Sequence, residues 1–186
     1  MAKTVVNTEK LAAVHGGAHL YSLIADADVE NGAICYVGNL DTSIMGQETH
    51  EYVAFTADNL NKDHVVLVAD PEWSYKGERS AQDLDVYVNK AGVPFRAYDL
   101  VRDDVFSITA DGIVYSQDSD LAVGSYVTNV AGSAKLNIAT KANAIQNNFY
   151  GIIEAIKTMG VAFTASNGTV YGKQRVLYNI RVLKNA

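Results

Sequence analysis

The chain has 186 residues, 48% of them hydrophobic and 19% charged, with 15 Lys plus Arg against 21 Asp plus Glu and a formal charge of −6. Such a chain buries most of its apolar surface in one core, with room for a satellite but not for two full-sized domains, and its composition excludes general disorder. The acid excess and the scattering of single cations oppose a direct nucleic-acid role, because phosphate binding needs a concentrated positive face.

No apolar stretch is long enough to cross a bilayer, so no membrane role is expected. After Met1–Val6 the chain turns polar at Asn7-Thr8-Glu9-Lys10, where a secretory signal would stay greasy, and synthesis in the cytoplasm is expected. Thr8 is placed to cap a brief helix that Gly16 and Gly17 stop, and residues 1–17 read as an N-terminal arm. Residues 18–186 read as one β-rich domain, with a looser, Ala/Ser/Asn-rich section at 116–148.

Strands are expected at Ala18–Ile24, Ala33–Leu40, Glu51–Phe55 and His64–Ala69. The Val65-Val66-Leu67-Val68 run is apolar without alternation, as in a strand covered on both faces, and Pro71 ends its ladder. Residues 72–83 read as a surface excursion that carries Trp73, the only tryptophan, and Tyr75. Rigid rings on a loop suit either an interface anchor or packing on the protein's own core.

Further strands are expected at Asp85–Val88, Phe95–Leu100 and Asp104–Thr109, the last turning at Asp111-Gly112 into a return strand at Ile113–Tyr115. Asn31-Gly32 and Asn167-Gly168 carry the same turn chemistry beside Ile-, Val- and Tyr-rich runs. Leu121–Val127 leads into another strand, Lys135–Ile138 is a short one, and the chain closes through Val161–Thr164, Thr169–Tyr171 and Val176–Leu183. In that final strand Val176, Tyr178, Ile180 and Val182 form an apolar face. The other face is mixed and holds Arg181, which reads as an edge or interface residue. Residues 149–157 are ambiguous: Phe149, Ile152, Ile153 and Ile156 match helical spacing, but Gly151 and the β-branched residues favour a strand.

No compact set of nucleophile, base and metal ligands stands out. Cys35, the single cysteine, has apolar neighbours and no adjacent cation, so it reads as a buried thiol. His15 and His19 flank two glycines with no Glu between them, and His50 and His64 stand at no ligand spacing. Asp99, Asp103, Asp104, Asp118 and Asp120 sit in turn-like sequence and read as solvated caps. Asp118-Ser119-Asp120 is too short for a calcium loop, and no phosphate-cradling glycine series or nucleophile-elbow motif occurs. No cofactor, no metal and no enzymatic activity are expected.

Three segments carry a resemblance: Gly92-Val93-Pro94-Phe95-Arg96-Ala97-Tyr98-Asp99-Leu100, Asp104-Val105-Phe106-Ser107-Ile108-Thr109 and Leu121-Ala122-Val123-Gly124-Ser125-Tyr126-Val127. In β-turn grammar they are similar to bacteriophage virion proteins of the head-decoration or capsid-auxiliary kind. That resemblance implies a virion structural protein that binds a major capsid protein or another virion component, head or tail, without covalent linkage. The light N-terminal arm and the weakly packed Ala131–Asn148 sequence lead to an expectation of self-association or attachment to a symmetric array, and the resemblance puts a trimer slightly ahead of a dimer.

The expected fold is therefore mainly β, an antiparallel barrel or sandwich with an extended N-terminal section, the alternative being α+β with a short helix at 149–157. Trp73, Tyr75 and Arg181 are the candidate interface residues. The functional alternative is a carbohydrate-binding module or glycan-acting enzyme, with Asp70 and Glu72 beside Trp73 and Tyr75 lining a groove.

Overall fold

A computed structural model describes residues 3–16, 19–42, 48–71, 86–160, 163–164, 168, 170–171 and 174–186. The Val65–Val68 run lacks a polar face because two cores meet across it. Val66 and Val68 point into one cluster with Leu23, Cys35, Phe95 and Ala97, whereas Val65 and Leu67 join a second with Ile34, Phe106, Phe149 and Ile180. The first cluster fills a closed five-stranded barrel, and the second lies between that barrel and a seven-stranded sheet. The fold is thus mainly β, as expected.

The barrel is built from β2 (Leu20–Ile24), β3 (Ile34–Leu40), β4 (Thr49–Val53), β5 (Val66–Val68) and β6 (Phe95–Asp99), paired in the order β2-β4-β3-β5-β6 and closed. Every pair is antiparallel except β2 with β4. Alternation along β3 sends Cys35 inward and Ile34 and Tyr36 toward the sheet. Val86–Val88 form no strand; beside them Asn89 makes an isolated bridge to Val29.

The sheet joins β1 (Val6–Lys10), β7 (Val105–Ile108), β14 (Arg175–Asn185), β11 (Phe149–Met159), β9 (Tyr126–Val130), β10 (Ser133–Ala139) and β8 (Ile113–Val114), in that order. Residues 149–157, open to a helical reading, lie within β11, whose whole length pairs with β14. Tertiary pairing overrides the helical spacing here: Phe149, Gly151 and Ile153 face the core by period-two alternation. A two-stranded ribbon, β12 (Phe163–Thr164) with β13 (Val170–Tyr171), lies between them in sequence.

Of the Asx-Gly turns, only Asn167-Gly168 lies between two mutually paired strands, and there Gly168 takes a positive φ while Asn167 falls outside the described residues. Asn31-Gly32 separates β2 from β3, which are not neighbours in the barrel. Asp111-Gly112 ends a single 3-10 turn, Ala110–Gly112, and the strand after it, β8, pairs in parallel with β10 rather than returning along β7. Gly112 serves by smallness: a Cβ there would stand 2.6 Å from Thr4 Cγ2 and collide with Ile108.

Within the section expected as an arm, β1 is the edge strand of the sheet, and Val5 and Leu11 are buried. Thr8 belongs to β1 and does not cap the helix. That helix, α1 (Ala12–Gly16), receives its N-terminal partner from Asp104, whose Oδ1 accepts the Ala12 N–H at 2.8 Å. Between 116 and 148, Val127, Leu136 and Ala144 are fully buried, and α2 (Lys141–Ala144) leads to Asn147, which donates to Thr128 Oγ1 at 2.7 Å. Asparagine amides in that section, which read as loose packing, bind backbone carbonyls and the Thr128 hydroxyl.

Candidate functional site

Strand register assembles a continuous surface on the face of the sheet turned away from the barrel. Directly paired residues share a face, and the pairs Lys10–Val105, Val105–Arg181, Arg181–Ile152, Ile152–Tyr126 and Tyr126–Ala139 form a row across six strands. Val105, Arg181, Ile152 and Tyr126 are half-buried and belong to neither core. Tyr150 adds a second ring, its centroid 6.5 Å from that of Tyr126.

Arg181 sits at the middle of this row on β14, an interior strand flanked by β7 and β11, so it is not an edge residue. Its mixed strand face is mixed because it is the sheet's outer side. A bulge between Ile153 and Ala155 leaves Glu154 unopposed and beside the guanidinium. Glu154 Oε1 stands 2.5 Å from Arg181 Nε, off the N–H axis, so the contact is ionic rather than a directed hydrogen bond. Asp103 Oδ1 approaches Nη1 at 3.5 Å, and Arg102 in turn lies 3.8 Å from Asp103. With both side chains more than a third exposed, the Arg181–Glu154 pair contributes at most ~1 kcal/mol and chiefly fixes the direction of the charge.

Trp73, Tyr75 and Glu72 lie outside the described residues. Asp70, grouped with them for a glycan groove, has both oxygens engaged: Oδ2 accepts the Tyr87 hydroxyl at 3.0 Å and Oδ1 the Arg96 N–H at 3.1 Å. Cys35 is fully buried in the barrel, and desolvation pushes its thiol far above the usual range, so it is no nucleophile there.

Among the described residues the titratable groups do not converge on one centre. His15 Nε2 meets the Glu9 carbonyl at 2.8 Å, and His50 packs edge-on against Tyr21. His19 Nδ1 lies 3.5 Å from Asp99 Oδ2. Burial pushes the Asp99 carboxyl above the usual carboxylate range, while His64, His19 and the Leu100 amide pull the other way. Asp104, expected as a solvated cap, is buried, because it serves two backbone N–H groups at the start of α1 and at Val101. Asp120 does cap a short exposed turn, accepting from Ser116 and Gln117. No group of three or more His, Cys, Asp or Glu residues is placed to hold a metal among the described residues.

The row through Val105, Ile152 and Tyr126 went unrecognised in the sequence. Its signal was there in Val105-Phe106 and Ile152-Ile153, adjacent apolar residues where a sheet wetted on one side would alternate. Comparison with known proteins finds no matching family model, no matching curated protein and no matching solved structure.

Proposed function

We propose that the chain is a structural component of a bacteriophage particle, held on a capsid or tail by non-covalent contacts and present in associated copies. The observation that carries this reading is the outer face of the sheet, where Tyr126, Tyr150, Ile152 and Val105 surround an oriented Arg181–Glu154 pair. Aromatic and aliphatic side chains around a fixed guanidinium are the composition of an interface centre. The turn grammar at Gly92–Leu100, Asp104–Thr109 and Leu121–Val127 directs the choice to a virion, where repeated subunits offer such a surface a partner. About 1,600 Å² of contact is enough for stable attachment.

Quantitative mass spectrometry of purified particles made with this chain expressed tests the reading. The chain should copurify at a fixed ratio to the major capsid or tail protein, and Tyr126→Arg should lower that ratio while the protein stays folded. Particles that package normally and contain none of it would reject the proposal.

A further inference from the structure

A cleft of about 250 Å³ opens on the outer sheet face where β1, β7, β14 and β11 run side by side. A local irregularity in β1 creates one wall. Asn7 Oδ1 accepts the Glu9 N–H at 3.0 Å, and the pairing with β7 slips from Asn7–Ser107 to Lys10–Val105, three residues against two. That extra residue turns Lys10 onto the same face as Asn7. On the opposite wall Lys157 pairs with Leu177 and faces the same way.

The floor holds a donor that no protein acceptor among the described residues engages. Asn179 is 6% exposed, and its Oδ1 accepts the Ser107 hydroxyl at 2.9 Å, leaving Nδ2 as the other end of the amide. Nδ2 meets no partner among the described residues, and it is not sealed in the interior; it opens to the cleft. Water reaches the amide there, and a ligand oxygen of matching geometry can take the water's place. Leu177, 5% exposed, and Met159 supply apolar surface beside it.

Ion pairing divides the described cations, and the two ammonium groups at the cleft fall with Lys135 and Lys184, which bond backbone carbonyls and no carboxylate. Lys3, Lys90 and Arg181 each lie against a carboxylate. Lys10 and Lys157 have no ion-pair partner among the described residues, although the chain carries six more acids than bases and Glu9 stands at the rim.

We propose that this cleft binds a carboxylate carried on a short apolar body, with Lys10, Lys157 and the Asn179 amide donating to its oxygens and Leu177 and Met159 receiving the body. Three donors around one opening suit an acceptor-only group, and an apolar floor favours an organic acid over an inorganic anion. The site stands whether or not the chain belongs to a particle. The acid has two sources, a small free molecule or the C-terminus of a polypeptide.

The test is titration of the full ¹⁵N-labelled chain with N-acetyl-leucine, with N-acetyl-leucinamide, and with the peptide acetyl-Gly-Gly-Gly-Leu bearing a free C-terminus. N-acetyl-leucine should move the Asn179 side-chain amide resonances with a dissociation constant of about 1 mM, and the leucinamide should bind about tenfold more weakly. Lys10→Gln and Lys157→Gln, both at exposed positions, should each weaken binding several-fold. The peptide binding more tightly than the small acid would assign a polypeptide terminus, and the reverse a free acid. Equal binding of acid and amide, an unmoved Asn179 amide up to about 20 mM acid, or undiminished binding in the double Lys variant would overturn the proposal.

Discussion

Asp104 holds Ala12 across most of the first half of the chain: Oδ1 accepts the Ala12 N–H at 2.8 Å while Oδ2 accepts the Val101 N–H at 2.9 Å. One buried carboxylate thus fixes both the start of α1 and the turn into β7, joining the N-terminal section to the sheet. Asp104→Ala strands both donors and should lower unfolding free energy by about 2–4 kcal/mol; Asp104→Asn, which keeps an acceptor, by about 1–2 kcal/mol. Denaturant titration measures the loss, and hydrogen exchange should show Ala12 and Val101 opening first. Stability within about 0.5 kcal/mol of the parent in Asp104→Ala would refute the clamp.

The sequence revealed strands better than it revealed their partners. Val65–Val68 and Val176–Leu183 declare their faces through local alternation or its absence, because burial acts residue by residue. Which strands pair is decided by closure of the barrel, so the glycines at 32 and 112 carried turn chemistry without announcing that no hairpin follows. The site was less legible for the same reason. Lys10, Ser107, Lys157 and Asn179 come from four strands far apart in sequence, and Lys10 turns onto the outer sheet face because of the bulge in β1 beside Asn7. Arg181 was identifiable by its place on a mixed strand face, but Glu154, which orients it, stands out only once the bulge in β11 is seen.

Gly151 and Gly16 predict opposite responses to the same substitution. A Cβ on Gly151 would stand 2.8 Å from the Arg181 carbonyl oxygen and 2.9 Å from Ile180 Cγ2, so Gly151→Ala must part β11 from β14. A loss of about 1–3 kcal/mol is expected. A Cβ added at Gly16 would meet nothing within 4 Å beyond its chain neighbours and its own helix backbone, and Gly16→Ala in α1 should be neutral or stabilising by up to about 1 kcal/mol. Paired thermal melts decide, and a tolerated Gly151→Ala would contradict the β11–β14 packing.

Cys35 should report opening of the barrel. It is fully buried with its thiol pushed upward by desolvation, so an aromatic disulfide reagent can reach a thiolate only when β3 separates from its neighbours. Native labelling should be at least about a thousandfold slower than labelling in denaturant, given a global stability of about 5–15 kcal/mol. Labelling of the native chain at the unfolded rate would place Cys35 outside the barrel.

Asp99 predicts an unusual pH response. Its Oδ1 is buried without a hydrogen-bond partner among the described residues, Oδ2 faces His19, and His64 and Asp104 act on it from the segments just before β5 and β7, with burial dominating and the carboxyl pushed upward. A carboxylate whose pKa is higher folded than unfolded stabilises the fold fully below about pH 3.9, its unfolded value, and that contribution is lost as pH rises through the folded value. Glu30 has the opposite sign. Burial pushes it up, but the Lys3 hydrogen bond and charge, helped by Lys135, outweigh this and hold it below the usual range. Its contribution is present at neutral pH and lost on acidification. Asp99→Asn removes the buried charge and should therefore melt above the parent at pH 7, with the difference shrinking toward zero near pH 3, where both carry a neutral group. Glu30→Gln should melt below the parent at pH 7 and converge with it in acid. Melting curves of the two variants across that range separate the effects, and an Asp99→Asn variant that loses stability at pH 7 but not at pH 3 would show the His19 contact outweighing burial.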